Sequence, residues 1–285
     1  MRLRLAVLLA LLATFCSQAR ANYSNPAIDC NPAGGGSTQT TATCATSLTT
    51  GTLEIVIVNA YQYTSASIAD NGGNTWHSAT AAHIGTSAGY QTYIFYSTIT
   101  SSGGITITVT FSPSATATYY SAWFLESTGG SPASDALDQA AGNTFTSTAS
   151  SQSTSNVTLL ANDLIVTSIV CNSGTTSEFS VTGPLTSLGG SGNNSFQAAY
   201  NNSVSAGSQH VTWNGSNNGP CTFSGGTYGV IAMAAFAVGT TSADTQIGGF
   251  AVGPMKGKPN YWQLYRILPW NRPRRIVEME KISRT

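Results

Sequence analysis

The stretch Ile105-Thr106-Ile107-Thr108-Val109-Thr110-Phe111 alternates apolar and hydroxyl side chains without a break. A period of two marks a half-buried strand, so Ile105, Ile107, Val109 and Phe111 are expected to face a core while the threonines face water. Outward from it, residues 53–58, 92–98, 119–125, 164–170, 211–213 and 228–238 are alternating or rich in β-branched and aromatic residues, as strands are. Turn-forming clusters separate them, among them Asn71-Gly72-Gly73, Ser102-Gly103-Gly104, Gly129-Gly130-Ser131-Pro132 and Gly225-Gly226. The pattern predicts an all-β fold.

The chain also echoes itself at an offset of roughly 100 to 112 residues. Leu53-Glu-Ile-Val-Ile-Val58 resembles Leu164-Ile-Val-Thr-Ser-Ile169, and Val109-Thr-Phe-Ser112 resembles Val211-Thr-Trp-Asn214. Thr118-Tyr-Tyr-Ser-Ala-Trp-Phe124 has a counterpart in Thr227-Tyr-Gly-Val-Ile-Ala-Met233. A single sheet cannot bury its own apolar face, whereas two face to face can. The expectation is a jelly-roll or Ig-like β-sandwich over 45–240, built from two similar halves, each supplying one sheet. Residues 22–44 read as a loosely structured lead-in, and 241–285 as a linker and a disordered basic tail.

Charge divides the chain more sharply than any motif. All eleven lysines and arginines lie at its ends, within 1–20 and 256–285. Residues 21–255 carry nine carboxylates and no cation, near −9, while 256–285 stand near +6. Nucleic-acid affinity rests on Lys and Arg neutralising phosphates, so the sandwich is excluded as a nucleic-acid binder. Sites for uronates, sulfate or phosphate lack their counter-charges for the same reason. Neutral glycans and protein surfaces remain as partners, and the basic tail suits acidic surfaces.

Arg2 and Arg4, the apolar run Leu5 to Phe15 and the triplet Ala19-Arg20-Ala21 read as a secretory signal over 1–21. No other apolar stretch is long enough for a transmembrane helix, so a secreted or cell-surface protein is expected. Removal of the signal leaves Cys30, Cys44, Cys171 and Cys221, an even number without CxxC spacing. These read as disulfides, in one of three possible pairings.

Ile68-Ala-Asp-Asn-Gly-Gly-Asn-Thr-Trp76, the strand before it, Glu126-Ser-Thr-Gly129 and Asn162-Asp-Leu-Ile-Val166 recur in an order that resembles a group of secreted bacterial β-sandwich domains. Such domains are sometimes attached to glycosidases, other exoenzymes, Ig-like repeats or phage-tail-like proteins. The resemblance covers about 45–240 and implies a fold and a secreted setting, with no catalytic residues to carry over.

Candidate functional residues follow from residue chemistry. Trp76, Tyr61, Tyr63, Tyr90 and Trp213 are candidates for stacking on sugar faces, whereas Trp123 reads as core. Glu126 with Asp138 or Glu178 is the carboxylate pair to consider for glycosidic hydrolysis. Asp70, Asn71 and Asn74 could offer oxygens to calcium, the one cofactor left open, although Asp-x-x-Gly and Asn-Gly are also turn chemistry. His77 and His83 with Asp70 form a conceivable metal set, and Gly85-Thr-Ser87-Ala-Gly89 fits the G-x-S-x-G pattern without the helix that pattern needs. The expected function is a secreted non-catalytic module binding neutral carbohydrate or a protein surface. The alternatives are a glycosidase-type hydrolase using Glu126, and a purely structural surface or appendage component.

Overall fold

The computed structural model describes residues 23–37, 39–86, 89–113, 118–130, 132–145, 151–159, 163–171, 179–181, 183–191, 195–215, 229–238, 250–255 and 258–266. Among them every element is a strand except one turn of 3-10 helix, η1 (Thr80–Ala82), and no helix is long and apolar enough to cross a membrane. The chain divides into two compact units, Met1–Gly239 and Thr240–Thr285.

In the first unit the leading half supplies β1 (Ala27–Cys30), β2 (Ala33–Ser37), β3 (Thr41–Leu48), β4 (Leu53–Tyr61), β5 (Tyr63–Asp70), β6 (His77–Ser78), β7 (Ile84–Gly85), β8 (Tyr90–Thr98), β9 (Gly103–Pro113) and β10 (Thr118–Ser127). The second half supplies β11 (Pro132–Phe145), β12 (Ser151–Ser153), β13 (Val157–Leu159), β14 (Asp163–Cys171), β15 (Phe179–Val181), β16 (Thr186–Ser191), β17 (Ser195–Val204), β18 (Gly207–Gln209), β19 (Thr212–Gly215) and β20 (Gly229–Val238).

Each half builds a large and a small antiparallel sheet on one plan. The first large sheet runs β1-β10-β4-β8-β6, with β2 also on β10 and β7 also on β8; the second runs β11-β20-β14-β17-β16. The small sheets are β3-β9-β5 and β12-β19-β15, the latter accompanied by a β13–β18 ribbon. Strands that echo in sequence occupy equivalent places: β4 and β14 lie mid-sheet between β10 and β8, or β20 and β17, and β9 and β19 are the central strands of the small sheets.

The cores show how the sheets stack. Val56, Val58, Phe95 and Phe124 of the first large sheet pack with Cys44, Ile107, Val109 and Phe111 of its small sheet. Ile165, Ile169, Ile231 and Met233 pack with Leu159, Val211 and Trp213 in the second half. The opposite faces of the two large sheets meet in a third core, where Leu53, Ile55, Ile57, Ile94 and Trp123 lie against Leu164, Val166, Val170, Ala234 and Phe236. The expectation of one sheet per half is therefore corrected: each half is a sandwich, and the two stack through their large sheets in four layers. Burial on both faces explains why β4, β14 and β20 are apolar almost throughout, whereas β3 and β9 alternate.

The lead-in is also corrected. Tyr23 is buried, its hydroxyl donates to the Ala237 carbonyl (3.0 Å), and its carbonyl accepts from Asn202 Nδ2 (3.1 Å). The glycine run that looked like slack lets β2 lie against β10, since a Cβ on Gly35 would stand 2.1 Å from the Tyr119 ring. Cys30 and Cys44 form a disulfide joining β1 of the large sheet to β3 of the small one. Cys171 is disulfide-bonded, and Cys221 lies outside the described residues. In the second unit, part of the segment read as linker and tail forms an antiparallel hairpin, β21 (Phe250–Met255) with β22 (Lys258–Arg266).

Candidate functional site

Asp70 ends β5 and organises the turn after it. Its Oδ1 accepts the backbone N–H groups of Gly72 (2.9 Å) and Asn74 (3.1 Å), and its Oδ2 accepts Asn74 Nδ2 (3.0 Å) and Trp76 Nε1 (2.9 Å). Asn74 Oδ1 accepts the N–H groups of Thr100 and Ser101 (both 2.9 Å), and Asn71 Oδ1 accepts that of Thr106 (2.8 Å). Partial burial pushes the Asp70 carboxyl up, but the bonds from Trp76 and Asn74 outweigh it and hold the group below its usual value. The three calcium candidates thus act as joints between the β5 turn and the β8–β9 connection.

The aromatic candidates divide by burial. Trp213 is fully buried and donates from Nε1 to Thr167 Oγ1 (3.1 Å); Tyr63 and Tyr90 are also core residues. Trp76 is half-buried against the first sandwich core, its indole N–H held by Asp70. Tyr61 is half-buried too, with its ring 4.6 Å from that of Tyr90 and 6.3 Å from that of Tyr119. No flat exposed platform for a sugar ring is assembled from these five.

Glu126 sits half-buried near the end of β10, where its Oε1 accepts Thr49 N (2.9 Å) and Thr52 Oγ1 (2.9 Å) and fastens the β3–β4 turn. Its proposed partners are not beside it in sequence order or sheet: Asp138 lies on β11 in the other half, and Glu178 lies outside the described residues. The acid directly opposite Glu126 in the β4–β10 register is Glu54. Glu54 is fully buried, and neither carboxyl oxygen has a hydrogen-bond partner. Desolvation, then the charges of Asp29 and Glu126, drives it well above the usual carboxylate range. Asp29 is also pushed up by burial and by Glu126, although Thr46 Oγ1 donates to its Oδ2 (2.8 Å) and opposes the rise. A raised acid beside a second carboxylate has the electronic character of an acid–base pair, but Glu54 has no open surface on which a substrate could reach it. Glu54 was not among the candidates; the available signal was a lone acid within the apolar run 53–58.

The histidines stack on different tyrosines. The His77 ring lies 5.3 Å from Tyr96, and the His83 ring lies 4.2 Å from Tyr93. Tyr96 donates its hydroxyl to Asp135 Oδ1 (3.2 Å), and burial followed by that carboxylate pushes the phenol up to about 12. Among the described residues no group of three or more His, Cys, Asp or Glu is arranged to hold a metal ion. Ser87 lies outside them.

An open groove of about 510 Å³ lies at the seam of the two sandwiches. Residues 139–142 of β11 and 155–158 line it from the second half, and Ala81 of η1 closes on it from the first. Gly142 permits that closure, since a Cβ there would stand 2.2 Å from Ile84 and 3.0 Å from the Ala81 carbonyl. Gln139, Ser155, Asn156 and Thr158 supply the groove's polar side chains, and none of the described residues lining it is charged. These four residues all belong to the second half and sit in a low-contrast Ser/Thr/Asn background, and Ala81 of η1 is the lining residue that the first half adds. Comparison with family models, curated proteins and solved structures returns no match.

Proposed function

We propose that this chain is a secreted, non-catalytic double β-sandwich that binds neutral carbohydrate, and that the seam groove is its binding site. The observation that carries the reading is the groove's lining of amides, hydroxyls, alanines and glycine, within a body that has no lysine or arginine from 21 to 255. Amides and hydroxyls can exchange hydrogen bonds with sugar hydroxyls, and no cation is present to select an anionic polymer. The Cys30–Cys44 disulfide supports an oxidising compartment, in keeping with the signal-like segment 1–21 and the resemblance to secreted bacterial β-sandwich domains. The hydrolase alternative loses support because Glu126 is engaged in a turn and its neighbouring acid is enclosed.

A panel of neutral and anionic glycans probed with the mature chain tests this. Neutral glycans are expected to bind, and the double variant Gln139→Ala/Asn156→Ala should weaken binding at least tenfold while keeping the wild-type melting temperature. Binding confined to anionic glycans, no binding at all, or full retention in the double variant counts against the proposal.

A further inference from the structure

At one end of the first sandwich three carboxyls gather, within a body that has no lysine or arginine from 21 to 255. Glu54 faces Glu126 across the β4–β10 register and Ser97 across the β4–β8 register. Asp29 of β1 approaches from a third side, bonded to Thr46 of β3. Ser97 donates elsewhere, to the Thr75 carbonyl (2.8 Å), and Glu126 is committed through Oε1 to the β3–β4 turn. The charged groups facing Glu54 from the elements around it are therefore both acidic, and the sequence offers no lysine or arginine between 21 and 255. A buried charge without a partner is among the costliest arrangements in a fold, and a proton is the smallest group that removes it. We propose that Glu54 is a proton-held latch: protonated, it closes this end of the first sandwich, and its ionisation as pH rises loosens the 49–52 turn and the packing of β1 and β3.

The pH dependence follows from the direction of each shift. Glu54 is raised, so its stabilising contribution is full below the ordinary value of 4.5 and is lost as pH rises through its folded value. Asp29, also raised, acts in the same sense. Asp70 is lowered, so its contribution holds above 3.8 and is lost as pH falls through its folded value. His83 is lowered by partial burial and opposes acid stability below 6.5; its exposed ring keeps that effect small. With Glu54 already neutral, protonating the other eight carboxylates of 21–255 takes this body from near −8 to no more than a small positive charge, since its only groups that gain charge in acid are three histidines. Acid unfolding by self-repulsion thus has little to act on, and the first unit is built to be most stable in mildly acidic surroundings.

Thermal unfolding of the full chain from about pH 4.5 to about pH 8, for the wild type, Glu54→Gln and Glu54→Met, tests this. The wild-type Tm should fall as pH rises, and both variants should lose most of that slope and exceed the wild type at the alkaline end. A wild-type Tm that is level or rises, or variants that keep the wild-type slope, would overturn the latch. So would a Glu54-dependent rise in wild-type Tm on adding calcium at neutral pH, since the carboxyls would then hold a cation. Infrared difference spectroscopy needs no well-folded variant: the wild type at neutral pH should show a protonated carboxyl band, and its absence would also overturn the proposal. Amide exchange at Thr49 should accelerate above the transition.

Discussion

Replacing Asp70 with alanine removes the acceptor of four hydrogen bonds at once, two from backbone and two from the side chains of Asn74 and Trp76. A loss of about 2–3 kcal/mol in urea unfolding at neutral pH is expected, because the donors are half-buried and regain water only in part. The deficit should shrink as pH falls below 3.8, where the wild type forfeits the same contribution. A deficit unchanged by pH would mean that Asp70 acts through packing and not through its charge. This turn was legible in the sequence because its chemistry is local: aspartate followed by Gly-Gly-Asn dictates a backbone shape without help from the rest of the chain. The fates of Tyr63, Tyr90 and Trp213 were not legible, since an aromatic residue in a strand has the same local signature whether it faces core or solvent. Glu54 was hidden for a related reason. Its burial is set by the small sheet packing over the large one, and β9 of that small sheet lies some fifty residues from β4 in sequence.

Among the elements, β2 depends on the absence of side chains. A methyl at position 35 would overlap the Tyr119 ring, which already packs near Tyr61. Gly35→Ala is expected to cost about 1–3 kcal/mol and to raise amide exchange along β2 while leaving the second half unaffected. Exchange that rises equally across β14 and β17 would contradict that local assignment. The central strands were recognised from their composition, and β9 from its strict alternation. The segment 22–44 was misjudged because glycine and threonine are equally the residues of a loose loop and of a strand packed beneath tyrosine rings. Only the partner decides, and β10 lies some eighty residues away.

For the whole molecule, the sequence carries a contrast between strand types that follows their place in the stack. Strands such as β3 and β9 alternate because they have one wet face, whereas β4, β14 and β20 are apolar on both faces because they lie in the middle layers. The repeat was legible; that each copy is a complete sandwich was not, because no short segment records which sheet it will join. The middle core binds the copies together through Ile57, Trp123, Val166 and Phe236, and Asn59 reaches across to the carbonyls of Ile169 (3.2 Å) and Gln197 (3.3 Å). Thr92 and Ser168 share a further hydrogen bond of 2.6 Å across the same junction. Separating the sandwiches would expose these faces to water, so the halves should not unfold independently. The seam groove takes Ala81 from the first half and its other lining residues from the second. Scanning calorimetry of the chain measures this coupling directly. One transition for the double sandwich is expected, with calorimetric and van't Hoff enthalpies in a ratio of about one; two resolved transitions, or a ratio of about two, would contradict the fused four-layer body.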